Sequence, residues 1–392
     1  MQGHIHKRIR TDKSGKQSVS WYVVLEMERG ANGARRQKWH GSYRTRKEAE
    51  AARARLVNEV NTGLYIPPTG TSFKEWVGDN WLATIKSQLK PSTWDSYSRN
   101  MKLHVLPVIG GVKLRSLTPS HLDKLYAELA EPGNGKKRGL APKTIRYIHT
   151  TIHKALGDAV RAGFIATNPA ERANPPKIRA NAFELNAWTA EQLGQFLESA
   201  RDDRLYVAFR LAAMTGMRRG EILGLMWKDI DFEHSRLSVR RNLVSVAYQV
   251  SISTPKTHQA RVIDLDKETV ELLREHRISQ QNEASNWGDG YQRSGYVFTR
   301  EDGSHVHPES LSDRFESLER KCPGLPMIRF HDLRHTHASI ALAAGIAVKV
   351  ISERLGHETP AFTLKQYAHV LPGMQAEAAS AIAALVARSK EQ

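Results

Sequence analysis

At 392 residues the chain is too long for one ordinary domain and holds material for two or three, each able to bury its own core. Hydrophobic residues at 40% and charged residues at 25% fit a globular chain rather than a disordered one, and no run of 18 apolar residues occurs that could span a membrane. The net charge of +17 points to a polyanionic partner, while a single cysteine, Cys322, excludes an internal disulfide and a thiolate zinc cluster.

The basic charge is unevenly spread. Residues 1–63 carry 14 basic against 6 acidic side chains, residues 64–185 carry 18 against 9, and residues 186–392 carry 26 against 26. A basic front beside a neutral back is the pattern of a nucleic-acid grip attached to a domain doing something more local. The start, Met1 to Arg10, is polar and basic with no apolar signal stretch, so the expected compartment is the cytoplasm, in association with the nucleoid.

Val19 to Met27 alternates apolar and polar residues, which predicts a strand with Trp21, Val23 and Leu25 on one face. A turn follows at Gly30 to Gly33, and Gln37 to Tyr43 can return as the hairpin partner. Thr45 and Glu48 form a capping-box pair ahead of a helix over Ala49 to Val60, closed by Gly63. The first module, residues 1–63, is therefore a small β-sheet plus helix. Its Arg35, Arg36, Lys38, Arg44, Arg46 and Lys47 either meet a DNA groove or form a solvated basic face.

Ile66 to Gly70, with paired prolines, reads as a linker. Residues 71–173 are predicted all-helical: Phe73 to Lys86, Pro91 to His104, Pro119 to Leu129 and Thr144 to Ala162, with Ser92 and Thr118 as caps. Basic residues recur along them, as expected for a helical clamp on duplex DNA. A second linker runs from Asn174 to Ala187.

The last domain, residues 186–392, is predicted as mixed α+β. Thr189 and Gln192 cap a helix to Ser199, and Leu205 to Met214 is another. Arg236 to Arg241, Val244 to Ser253 and Ala260 to Leu265 read as a small antiparallel sheet. Helices resume at Lys267, with a break over 288–303, and end in an Ala-rich tail helix over Gln375 to Val386.

Four islands stand out in this domain: Thr215-Gly216-Met217-Arg218-Arg219-Gly220-Glu221, Thr254-Pro255-Lys256-Thr257, His331-Asp332-Leu333-Arg334, and Leu355-Gly356-His357 with Tyr367 beyond it. Each string alone is short enough to occur by chance. In this order, with His331 26 residues before His357 and Tyr367 10 after it, they resemble the active-site pattern of tyrosine recombinases, the phage-integrase kind, over roughly residues 188–372. The front segments resemble that family's arm-binding and core-binding domains only in layout and charge.

The resemblance implies an integrase that cuts and rejoins DNA through a 3′-phosphotyrosyl intermediate, with Tyr367 as nucleophile. Attack on a phosphodiester builds charge on the non-bridging oxygens, and the guanidinium forks of Arg218 and Arg334 suit a bidentate grip on them. Arg219 is set aside because the family motif places its arginine third after the threonine. A phenol with a pKa of about 10 needs a proton acceptor, a role expected of His331, and a positive field from the arginines. Lys256, on a turn between strands, matches the general acid that protonates the leaving 5′ oxygen; an exposed turn lysine is the plainer alternative. His357 is expected to donate to a non-bridging oxygen and Glu221 to brace the Arg218 loop. Tyr291 and Tyr296 do not compete for the nucleophile's place.

His331, His335 and His337 invite a metal site, but there is no H-E-x-x-H and no cysteine partner, and Asp332 points away at helical spacing. His335 and His337 are expected as packing or phosphate contacts. No cofactor and no metal are expected, because the bond energy is kept in the phosphotyrosine. The expected partners are double-stranded DNA at core and arm-type sites, three further copies in a homotetramer, and an excision or host bending factor. A type IB topoisomerase uses the same chemistry, and a DNA-binding regulator of the same fold uses none.

Overall fold

The computed structural model describes residues 3–11, 17–27, 36–62, 70–132, 138–178, 186–246, 248–253 and 260–367, with Ala383. The chain forms two compact units, Met1–Arg179 and Ala180–Gln392. The fold is multidomain and mainly helical with small sheets. No helix among the described residues is long and apolar enough to cross a membrane.

The first unit begins with an antiparallel sheet of β1 (Gly3–Thr11), β2 (Gln17–Met27) and β3 (Arg36–Tyr43), in that order. Val23 pairs with Ile5 on one side and His40 on the other. Period-2 alternation puts Val23 and Leu25 on the face covered by α1 (Arg46–Asn61), where they meet Ala49, Ala52 and Leu56. The other face leaves Trp39 half exposed beside His6 and Tyr22. The sequence gives no warning of β1. The predicted turn at Gly30 to Gly33 and the closing Gly63 lie outside the described residues. The Thr45 hydroxyl accepts from the Glu48 N–H, but the Glu48 carboxylate returns to the N–H of Arg44, one residue short of a capping box.

The helical part of this unit has its own core, built by three tryptophans and the helix Pro142–Arg161. Ile145, Ile148, Ile152 and Ala155 recur at helical spacing and face inward. The indoles keep their N–H groups satisfied: Trp76 donates to the Ala155 carbonyl, Trp81 to Asp158 and Trp94 to the Leu82 carbonyl. Thr118 precedes helix Pro119–Ala130 as expected. Ser92 is not a cap. Pro91, whose fixed φ suits the first helical position, starts helix Pro91–Asn100 one residue earlier, after an extended Lys90.

In the second unit an aromatic cluster sets the frame. Phe196 packs tilted against Trp188 and Phe315 at 5.2 and 4.9 Å, and Phe315 meets Phe330 edge-on at 5.6 Å. Helix Ala190–Ser199 carries the predicted Thr189–Gln192 capping box. Ile230–Asp231, Arg236–Val239 and Arg261–Asp264 form a three-stranded antiparallel sheet. The run Val244 to Ser253 is not one strand: Asn242–Val246 and Gln249–Ser253 fold back on each other, with Tyr248 at φ 64° in the turn. Helices Lys267–Trp287, Pro308–Glu319, Asp332–Ala343, Val348–Leu355 and Pro360–Tyr367 follow. The tail from Gln375 lies outside the described residues apart from Ala383.

Candidate active site

Helix Asp332–Ala343 is the site's backbone, and the core holds it from behind. Leu333 is fully buried against the aromatic cluster, and Thr336 accepts from the backbone N–H of Trp188. His331, Arg334 and His335, spaced i, i+3 and i+4, then share the opposite face.

Arg334 is 4% exposed, yet its guanidinium is satisfied by two carbonyls, Gly216 at 2.7 Å and Leu355 at 2.7 Å. One side chain thus joins three islands that are far apart in sequence. Gly216 must be glycine for this. It caps helix Tyr206–Thr215 at φ 63°, and a Cβ there would sit 2.4 Å from Leu355 and 2.9 Å from His337. Burial, then the nearby charge of Arg218, presses Arg334 below the ordinary arginine range. An anion placed between the two would relieve that repulsion.

Arg218 stands at the N-cap of the short helix Arg219–Leu223 and is a quarter exposed. Its Nη1 donates to Glu221 at 2.8 Å and its backbone N–H donates to the same carboxylate at 3.0 Å. Glu221 is 2% exposed and also receives both ends of the Arg261 fork, at 3.1 and 2.7 Å. Burial alone would raise its pKa, but Arg261 and Arg218 hold it down to about 2. The carboxylate therefore stays charged and fixes Arg218. Arg261 also donates to the Arg354 carbonyl at 2.8 Å, beside the turn that carries His357. Arg219 points elsewhere, to Ser312 at 2.7 Å.

His357 follows Gly356, which ends helix Val348–Leu355 at φ 63° and whose missing side chain leaves room for Arg261. Its Nδ1 lies 2.6 Å from the Thr363 hydroxyl. When that hydroxyl donates to Nδ1, the ring's proton is on Nε2, free to meet an anionic oxygen. Burial, with Arg334 and Arg218, lowers the His357 pKa to about 3, so the ring is a neutral donor.

Tyr367 ends helix Pro360–Tyr367 and is 1% exposed, packed on Ala338, Ile351 and Leu355. Burial raises its pKa to about 12, against the pull of Arg334. Its hydroxyl meets His335 Nδ1 at 2.8 Å. His331, the expected proton acceptor, does not make this hydrogen bond. Its ring stands edge-on to His335 at 5.7 Å between centroids and is open to solvent on one side, and the hydrogen-bond partner of the phenol is His335. The protein around His331, then His335 and Arg334, lowers its pKa to about 4. His337 turns inward, with Nδ1 on the Ala213 carbonyl at 2.9 Å, and is a packing residue.

Lys256 lies outside the described residues, between the described strands Gln249–Ser253 and Arg261–Asp264. Among the described residues no group of three or more His, Cys, Asp or Glu could hold a metal ion. Asp332 is occupied by a two-point pair with Arg329.

The pattern of the phage integrase family matches residues 185–373, which span every group above. The chain belongs to this family of tyrosine recombinases. Such recombinases cleave and rejoin DNA strands. Two further patterns match the recombinase's front: an arm DNA-binding domain over residues 9–60 and an integrase N-terminal SAM-like domain over residues 72–130. A tyrosine recombinase XerC-like protein of Caldanaerobacter subterraneus subsp. tengcongensis is 27% identical over 392 residues, covering 95% of this chain and 97% of that protein. The ICEBs1 integrase of Bacillus subtilis is 26% identical, covering 86% and 89%. In fold, the recombinase is similar to the Tn1549 transposon integrase solved in complex with a circular intermediate DNA, with a TM-score of 0.64 and 21% identity over 79% of this chain and 98% of that one. It is also similar to a lambda integrase dimer bound to a core site, with a TM-score of 0.57 and 18% identity over 92% and 93%.

Two neighbours of the site escaped the sequence reading of this recombinase. His335 was visible only as the i+4 partner of His331. Arg261 follows Lys256 by five residues in a strand and carries no motif of its own.

Proposed function

We propose that this recombinase integrates or excises a phage or mobile element by two transesterifications, with Tyr367 as the nucleophile. Tyr367 bonds to a 3′ phosphate and releases a 5′ hydroxyl, which then attacks the partner duplex. Arg218 and Arg334 hold the non-bridging oxygens and His357 adds a donor. His331, at the rim beside them, completes the phosphate pocket. Lys256 protonates the leaving 5′ oxygen. The observation that carries this reading is the Arg334 guanidinium, whose bonds to the carbonyls of Gly216 and Leu355 draw the arginine loop, the histidine turn and the tyrosine's neighbourhood together.

The labour divides as residues 1–63 on arm-type sites, 71–173 clamping the core site and 186–392 performing chemistry. The front's excess of basic residues supports the first two. Four copies act on two duplexes in the cytoplasm, at the nucleoid, with the tail from Gln375 docking on a neighbouring copy and an excision or host bending factor setting direction. Two assays test this together: two-site recombination and relaxation of supercoiled DNA. Recombination that needs both sites is the expected result. Relaxation without any joining of two sites contradicts it and points to a topoisomerase.

A further inference from the structure

We propose that His335 is a catalytic residue, taking the phenolic proton of Tyr367 during strand cleavage and returning it during rejoining. The inference rests on the recombinase reading of Tyr367 and adds a proton acceptor to it.

The geometry is direct. His335 Nδ1 is 2.8 Å from the Tyr367 hydroxyl, within the range for proton transfer, and the two rings lie 5.6 Å apart. His331 is one helical turn back and meets His335 edge to ring. His335 stands on a helix whose far side is packed into the core through Leu333, which fixes the backbone from which its ring reaches the phenol.

The electrical surroundings fit a base. Burial, Arg334 and Arg329 all disfavour a charged His335 and outweigh the pull of Asp332, so the ring rests neutral, with a lone pair to offer. The phenol rests protonated, because burial raises its pKa to about 12. Burial is the main reason the ring rests neutral; a phosphate held by Arg218 and Arg334 would offset the smaller part that comes from Arg334 and ready the ring to accept a proton. The resting pair is therefore unreactive without DNA.

The step balances. The Tyr367 O–H bond breaks and its proton goes to Nδ1, while Oη bonds to phosphorus. The bond from phosphorus to the 5′ oxygen breaks, and that oxygen takes a proton from the acid assigned to Lys256. Rejoining reverses both transfers.

The test uses the full chain and single-turnover adduct formation on a nicked DNA carrying one cleavage site. His335→Asn keeps a hydrogen-bonding group where Nδ1 stood but cannot take a proton, and His335→Gln serves if the first variant melts early. Expected are wild-type DNA binding, adduct formation slowed about 100-fold, and loss of the plateau that wild type reaches once its histidine is neutral. Replacing Tyr367 with a fluorinated tyrosine, a more acidic phenol, should recover much of the His335→Asn loss. Sulfur in place of the bridging 5′ oxygen, which needs no proton to leave, should not recover it. A His335→Asn rate within twofold of wild type, or rescue by sulfur, overturns the proposal while leaving the recombinase reading intact. A wild-type protein that forms no adduct overturns that reading itself.

Discussion

The side chains of Arg46 and Arg55 in the front unit are each 71% exposed, and each pairs with a carboxylate one helical turn away. In the back unit Arg334 is 4% exposed and the Arg261 side chain 11% exposed, each locked by two or more bonds. The front keeps its positive charge hydrated and adjustable, which suits a long backbone of phosphates read mostly for position. The back has 26 charges of each sign and buries a few of its cations around the site, so that those few are aimed before substrate arrives. Equal numbers of arginines would serve neither purpose if their burial were exchanged.

Deleting residues 1–63 should abolish binding to accessory sites in gel-shift assays while cleavage at a core site stays detectable, and loss of both together contradicts the division. Next, Arg334→Lys should slow cleavage by about a hundred- to a thousandfold, because a compact ammonium lacks the planar fork whose two ends reach the separate carbonyls while leaving donors for a phosphate. DNA affinity should change far less, as measured by titration at fixed salt.

Arg261→Gln removes a side chain whose donors go to Glu221 and the Arg354 carbonyl. Leaving Glu221 with one partner should cost about 3 kcal/mol of stability, read from urea unfolding, and should slow cleavage through the loosened Arg218. The Glu221 pKa, lowered to about 2, makes this an acid effect as well. A depressed carboxyl contributes stability above its ordinary value near 4.5 and loses it as pH falls toward 2. Wild type should therefore weaken across that window more than Glu221→Gln does. The smallest effect belongs to the front: neutralising one exposed lysine, such as Lys102, should reduce the salt dependence of binding by about one unit of log–log slope and leave single-turnover cleavage at saturation unchanged.

Much of this was legible in the sequence, for reasons that also explain the failures. Helices with an inward stripe, such as Pro142–Arg161, announced themselves through isoleucines at helical spacing. The first strand did not, because Gly3–Thr11 is mostly charged or polar and becomes a strand only by pairing with β2. The hairpin over Asn242 to Ser253 was read partly as one strand because its turn holds neither Gly nor Pro, and Tyr248 takes the left-handed conformation instead. At the site, motif order singled out Arg218, Arg334, His357 and Tyr367, and Arg334 bonds to the segments that carry Arg218 and His357. Motif order could not say which histidine meets the phenol. His331 and His335 share one helix face, and the choice between them depends on where a helix 32 residues further along the chain comes to rest.

The most direct test of the account is to trap the wild-type protein on a nicked core site and map the DNA-linked peptide by mass spectrometry. The account predicts a 3′-phosphate ester on Tyr367, a free 5′ hydroxyl, and no adduct from Tyr367→Phe despite unimpaired DNA binding. Linkage to any other residue, or an adduct that survives Tyr367→Phe, contradicts it.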